Sequence, residues 1–318
     1  MIKRRLPCAC LLLAGLLASC GSAPPPQPAT VVASSGNMGK AMQAYAANRY
    51  AEARNFFGRA LTEYRGVDDR KGQAETLVDL ADSALQQGDV AAARDYLKDA
   101  RSIAEQDGLS ALLPRLTLLD AYGDLQAQDP QTAATRLDKL LQDAAMPADI
   151  HQAALFARTQ AAFDLKATDA GGWLDKLTAA AGLDKDALTQ ARLARLQALA
   201  ARNAGDNAKA TSLYADALAR YQSAYYRPGI AASHEEWAGM LMAAQDWNGA
   251  RGHLQRALEV RLWMVDASHS IRILENLQQV DTMLGDSAAA KQDAELADYL
   301  KNGGDPSQPP APIDPATH

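Results

Sequence analysis

Small and apolar residues recur along this chain at offsets of four and three, and the register returns every 40 residues. The triplets are Ala53, Phe57, Ala60; Ala93, Leu97, Ala100; Ala133, Leu137, Leu140; Ala170, Leu174, Leu177; Ala210, Tyr214, Ala217; Ala250, Leu254, Ala257; and Ala290, Ala294, Ala297. Only the interval from Ala133 to Ala170 differs, at 37 residues. Offsets of four and three place each triplet on one face of a helix. A turn signal precedes most of them: Gly88-Asp89, Asp129-Pro130, Gly205-Asp206, Asp246-Trp247, Gly285-Asp286. Ahead of that turn lies another helical pattern, such as Leu77, Leu80, Ala81, Ala84 in the second unit and Trp237, Ala238, Leu241 in the sixth. The spacing therefore predicts seven antiparallel helical hairpins. A lone hairpin buries only part of its apolar surface and stacking buries the rest, so the expected fold is all-α, a right-handed α-solenoid.

The small–aromatic–small triplet of the second helix and the Leu-x-x-Leu-Ala of the first resemble the tetratricopeptide repeat family, over roughly residues 36 to 300. That family has a period of about 34 residues, and the units here are longer by about one to two helical turns. The join ALTEYRGVDDRKGQAETLVDLA, with YRPGIAASHEEWA as a looser copy, is similar to the longer-helix branch of the family. Heat-type helix pairs are the structural alternative. The Gly-Asp turns and the Phe57 and Tyr214 positions favour the tetratricopeptide reading.

Prolines and glycines mark the unit boundaries. Pro114 and Pro130 fall in first turns of helices, where a missing N–H is tolerated. The fourth unit is three residues short and carries Gly171-Gly172 inside its second helix, so it is expected to be the weakest joint. Asn302-Gly303-Gly304 stops the last helix.

The two ends are of another kind. Residues 1–19 read as a leader, with Lys3, Arg4 and Arg5 ahead of an apolar run from Leu11 to Leu17. That run is too short to span a bilayer. Its end, Leu17-Ala18-Ser19-Cys20, resembles the lipobox of bacterial lipoproteins. The resemblance implies cleavage before Cys20, acylation of its thiol, and a stable membrane anchor from more than one acyl chain. Gly21 after the cysteine is similar to lipoproteins sent to the outer membrane, facing the periplasm. An ordinary secretory signal cleaved after Ala23 is the alternative. Residues 20–35 then form a lipidated, Pro-rich tether, 36–302 the solenoid, and 303–318 a disordered Pro-rich tail. Cys8 and Cys10 leave with the leader, so no disulfide or cysteine metal site is expected.

Charge and motif content narrow the function. Without the leader, the 32 basic residues fall to 29 against 38 acidic ones. An acidic body without a basic stripe argues against nucleic acid as a partner. No phosphate loop, nucleophile elbow, zinc-binding HExxH or cysteine cluster occurs, so neither an enzyme nor a cofactor is expected. His234 beside Glu235 and Glu236 reads as a partly exposed histidine at a helix start, because neighbours in sequence do not share a helix face. Trp237, Trp247 and Trp263 read as core, and Tyr225 and Tyr226 as partly exposed.

The resemblance implies that first helices line a concave face holding protein or peptide partners. Registering the units puts Met38, Met42, Tyr45, Glu75, Val78, Asp82, Arg115, Leu118 and Tyr122 on that face. In the fifth unit Arg192, Arg195, Leu199 and Arg202 make one stripe, ended by Asn203, with Leu193, Leu196 and Ala200 on the adjacent buried face. Arg272 lies at the equivalent place two units on. These guanidinium groups suit a carboxylate or an acidic peptide; they also suit a solvated basic face balanced by nearby aspartates. The expected function is a membrane-anchored scaffold in envelope assembly. A pilotin-like factor for a secretin or pilus, or a peptide or small-molecule sensor, are the alternatives.

Overall fold

A computed structural model describes residues 29–180 and 186–309. The leader, Cys20 and residues 310–318 lie outside the described residues. Within them the chain forms fourteen α-helices, one 3-10 turn at Ser110–Leu112 and no strand. The helices pair as α1 (Ala29–Ala46) with α2 (Tyr50–Gly66), α3 (Arg70–Gln86) with α4 (Val90–Gln106), α5 (Leu113–Gln126) with α6 (Pro130–Leu140), and α7 (Ala148–Asp164) with α8 (Ala170–Ala179). They continue as α9 (Ala187–Asn203) with α10 (Asn207–Ser223), α11 (Arg227–Ala243) with α12 (Trp247–Trp263), and α13 (Ala267–Leu284) with α14 (Ser287–Lys301). This is the helical repeat solenoid of seven hairpins that the 40-residue register predicts.

The triplets are what the hairpins close on. Ala53, Phe57, Ala60, Leu137, Ala210, Tyr214, Ala217, Ala250 and Ala257 are wholly buried, and Leu97 and Leu254 nearly so. Alanine at the crossing lets the backbones approach, and the larger residue fills the layer beside it. An arginine just after the leading alanine then ties its hairpin to the next. Arg54 pairs with Asp89 at 3.0 Å, Arg94 with Asp124 at 3.4 Å, and Arg251 with Asp286 at 2.6 Å.

The turns repeat every twenty residues, half the sequence period. Residues 48, 68, 88, 108 and 128, and again 205, 225, 245, 265 and 285, adopt a left-handed backbone. The residue after each sends its N–H back five positions, as Asp89 does to the Ala84 carbonyl at 2.9 Å. An aspartate in that place then caps the next helix: Asp89 accepts the Ala92 N–H, Asp246 that of Gly249, and Asp266 that of His269. One short segment thus ends one helix and starts another.

Four expectations need correcting. Helix α1 begins at Ala29, so it takes the last seven residues of the stretch read as tether; Pro28 is the last proline before it and nothing after breaks a helix. The tail does not leave the fold at Gly303: the Asp305 N–H donates to the Tyr299 hydroxyl at 3.0 Å, and Pro306 is buried. Trp263 is 48% exposed rather than core, with the Arg227 guanidinium 3.7 Å from its ring centre. His234 is buried, its Nδ1 2.8 Å from the Nδ1 of His253. The fourth unit is irregular as expected, α8 having ten residues. Trp173 lies there between Arg158 and Lys176, with its Nε1 donating to Asp169 at 3.0 Å.

Candidate functional site

The solenoid closes on itself. Asn48, in the turn of the first hairpin, donates from Nδ2 to the Tyr225 carbonyl at 2.9 Å, between the fifth and sixth hairpins. Its Oδ1 accepts from the Tyr50 hydroxyl at 3.1 Å. Gly88, in the turn of the second hairpin, meets the start of α13. A Cβ there would stand 2.5 Å from Asp266 Oδ1 and 2.9 Å from His269 Nδ1, and its φ is +69°. Other turns of the chain place non-glycine residues at this backbone angle, so the close approach of Asp266 and His269 is what sets Gly88 apart.

The closure frames a half-open lumen of about 870 Å³ to which all seven hairpins contribute side chains. Tyr45, Asp82, Arg115, Leu118, Tyr122, Arg192, Arg195 and Arg272, all expected on the concave face, line it. Met38, Met42, Glu75, Val78, Leu199, Arg202 and Asn203 do not. Val78 and Leu199 are buried in the layer between helices, and Met42 is 51% exposed away from the lumen. Arg202 instead reaches the Asn203 Oδ1 at 3.4 Å, and its charge bears on Glu236 and Tyr214. The stripe of four residues therefore divides: its first two arginines line the lumen and its last does not.

The lumen is charged on all sides. Five arginines and four carboxylates line it, and most are paired. Arg115 bonds Asp79 at 2.9 Å and lies 3.7 Å from Asp82. Arg261 holds Glu235 at 2.7 Å and the capping Asp266 at 3.0 Å, and His269 meets the same Asp266 at 2.8 Å. Burial works against the Asp266 carboxylate, but His269 and Arg261 outweigh it and hold its pKa below the usual range. Arg195 spans three elements, bonding Gln160 of α7 at 3.1 Å and Glu236 of α11.

Two cations stand apart. Arg192 and Arg272 have no carboxylate within ion-pair distance among the described residues. Arg192 is 5.5 Å from the Tyr226 ring centre. Tyr122 faces it and Arg195 from α5, its phenol pushed up to about 12 by burial while those two arginines pull the other way. Sequence reasoning missed Glu236, Arg261 and the tyrosines 221 and 226 as lumen residues. The signal available was that Glu236 lies 41 residues after Arg195, about one repeat, so the same face of successive first helices brings them together.

Among the described residues no group of three or more His, Cys, Asp or Glu could hold a metal ion, and no helix is long and apolar enough to cross a membrane.

Residues 33–106 match the model of the tetratricopeptide repeat family. Among solved structures, the crystal structure of BtubC (BKLC) from P. vanneervenii aligns with 92% of this chain and 98% of its own, at 13% identity and a TM-score of 0.43. No curated protein matches the sequence.

Proposed function

Given that residues 33–106 are tetratricopeptide repeats, we propose that the protein is a non-catalytic adaptor whose lumen holds an acidic segment of a protein partner. One observation carries this reading: the inner faces of the first helices converge on a lumen in which Arg192 and Arg272 have no carboxylate within ion-pair distance among the described residues. A lumen of about 870 Å³ is of the size that binding sites use for drug-sized groups. It suits a short extended segment better than a helix about 10–12 Å across. Paired charges around it would select partners by sign and register.

The lipobox-like Leu17-Ala18-Ser19-Cys20 supports a further element: a lipid anchor at Cys20 that holds the adaptor at the outer membrane, facing the periplasm, where it serves envelope assembly. Replacing Cys20 by Ala is expected to move the protein out of the membrane fraction with its helicity unchanged. Retention in that fraction would remove the anchor from the account.

The adaptor reading is tested by a crosslinked pull-down from membranes, followed by mass spectrometry. Wild-type protein is run beside Arg192→Met, Arg195→Met and Arg202→Met, each checked for native helicity. Partners lost in the first two variants and kept in the third are expected. Partners kept in all three would put recognition outside the lumen.

A further inference from the structure

Glu236 is an acid set among the lumen's arginines. One carboxylate oxygen sits against Arg195, while Oε2 is buried without a hydrogen-bond partner among the described residues. A buried carboxylate with a bare oxygen is poorly compensated. Its carboxyl is accordingly pushed up to about 7: burial raises it, and Arg195 and Arg202 of α9 pull it back only in part. The other groups facing it are Asp164 of α7, Glu235 on its own helix, and the phenols of Tyr214 and Tyr221 on α10.

One helical turn before Arg195 stands Arg192, on the same face of α9 and, among the described residues, with no carboxylate within ion-pair distance, Asp186 feeling its charge from farther off. Both guanidinium groups stay charged. Burial works against each, but Tyr226 and Tyr122 around Arg192, and Glu236 beside Arg195, hold their pKa raised. Two planar donor forks side by side form a place for an oxyanion. Half of it is already taken by the protein's own acid.

We propose that Arg192 and Arg195 together bind the anionic group of a ligand, and that this group displaces Glu236 from Arg195 while the freed carboxyl takes up a proton from water. The inference rests on the lumen being the recognition surface and names the chemistry recognised there: a carboxylate or another oxyanion. Displacement and proton uptake go together because a carboxylate stripped of its cation inside the protein does not stay ionised. No bond is made or broken except that to the proton. By linkage, such a ligand binds about tenfold more tightly at pH 6 than at pH 8.

The test is calorimetric titration of the full chain with two probes whose charge is constant over that range. Sulfate represents a free small anion, and an acetylated, amidated tetraglutamate represents an acidic chain segment. Buffers of different ionisation heat report protons taken up. At least one probe is expected to bind about tenfold more tightly at pH 6, with proton uptake near neutrality. Glu236→Gln, which keeps the side chain's shape, is expected to bind tightly at both pH values with no proton uptake. Arg195→Met is expected to abolish binding. Sulfate binding alone assigns the site to a free anion, and peptide binding assigns it to a chain segment. The proposal is overturned if neither probe binds, if affinity is the same at both pH values without proton uptake, or if Glu236→Gln retains the pH dependence. Partners captured through Arg192 without proton uptake would leave the adaptor reading standing and remove this one; proton-linked sulfate binding without captured partners would do the reverse.

Discussion

Val265 occupies a left-handed backbone conformation at φ 59°, where a β-branched side chain is strained. It holds that position because the Asp266 N–H must reach the Arg261 carbonyl, at 3.0 Å, and the Asp266 side chain must cap α13. Val265→Gly should therefore stabilise the protein by about 1 kcal/mol, measured by urea unfolding. Glu236 gives the pH prediction at this scale. Its carboxyl has a raised pKa in the folded protein, so between about 4.5 and 7 the native state binds more protons than the unfolded chain. Stability from this group is present at low pH and falls as pH rises through that window. Glu236→Gln should match wild type in unfolding free energy at pH 4 and exceed it at pH 8, by a shift on the order of 3 kcal/mol. Asp293, raised to about 7 by burial and by Asp281, titrates in the same window, and the difference between wild type and variant isolates Glu236. Neither feature was visible from composition. The half-satisfied glutamate arises from where neighbouring units bury it, and the left-handed valine from the turn register that happens to fall on a valine; neither residue type marks this on its own. The glycine at 88 was legible as a turn, but the Asp266 oxygen that forbids its side chain comes from 178 residues away.

At the scale of elements, the register of alanines was enough to place all seven hairpins, because a buried small residue every 40 positions has no other cheap explanation in a helix pair. Pro114 and Pro130 lie in the first turns of α5 and α6 as their chemistry requires. The boundaries failed where the sequence offered no breaker, at Ala29, and where a tyrosine fastened the tail, at Tyr299. Trp263 misled because aromatic residues are usually buried payload, yet its exposed ring is covered on one face by Arg227. The fourth hairpin remains the expected weak joint. Its second helix has ten residues and two glycines, and only Ala170 and Leu177 are buried in it. Native-state hydrogen exchange should show residues 168–180 less protected than 208–221 of α10. Equal protection would mean that Trp173, held by Arg158, Lys176 and Asp169, supplies what the glycines remove.

For the whole molecule, closure is the feature the repeat pattern alone did not contain. A solenoid is a chain of nearest-neighbour contacts, but Asn48 on Tyr225 and Gly88 on Asp266 join the first two hairpins to the last three. Met38, Met42, Glu75, Val78, Leu199, Arg202 and Asn203 were expected on the concave face and lie elsewhere, whereas Tyr45, Asp82, Arg115, Leu118, Tyr122, Arg192, Arg195 and Arg272 were legible as one face. That they surround one lumen depends on how tightly the units coil, which follows from small angles summed over seven hairpins. Replacing both Asn48 and Gly88 by alanine removes a hydrogen bond and introduces a clash at the seam. The double variant should lose about 2–3 kcal/mol of stability and show a larger radius of gyration by solution scattering, with its helix content retained. The central claim is that partners are held inside this lumen. The most direct test is a benzophenone side chain placed at Tyr122, inside, and separately at Lys98, exposed on α4 outside it, followed by irradiation in cells and mass analysis of the adducts. The account predicts a partner adduct from position 122 and none from 98; adducts from 98 alone would contradict it.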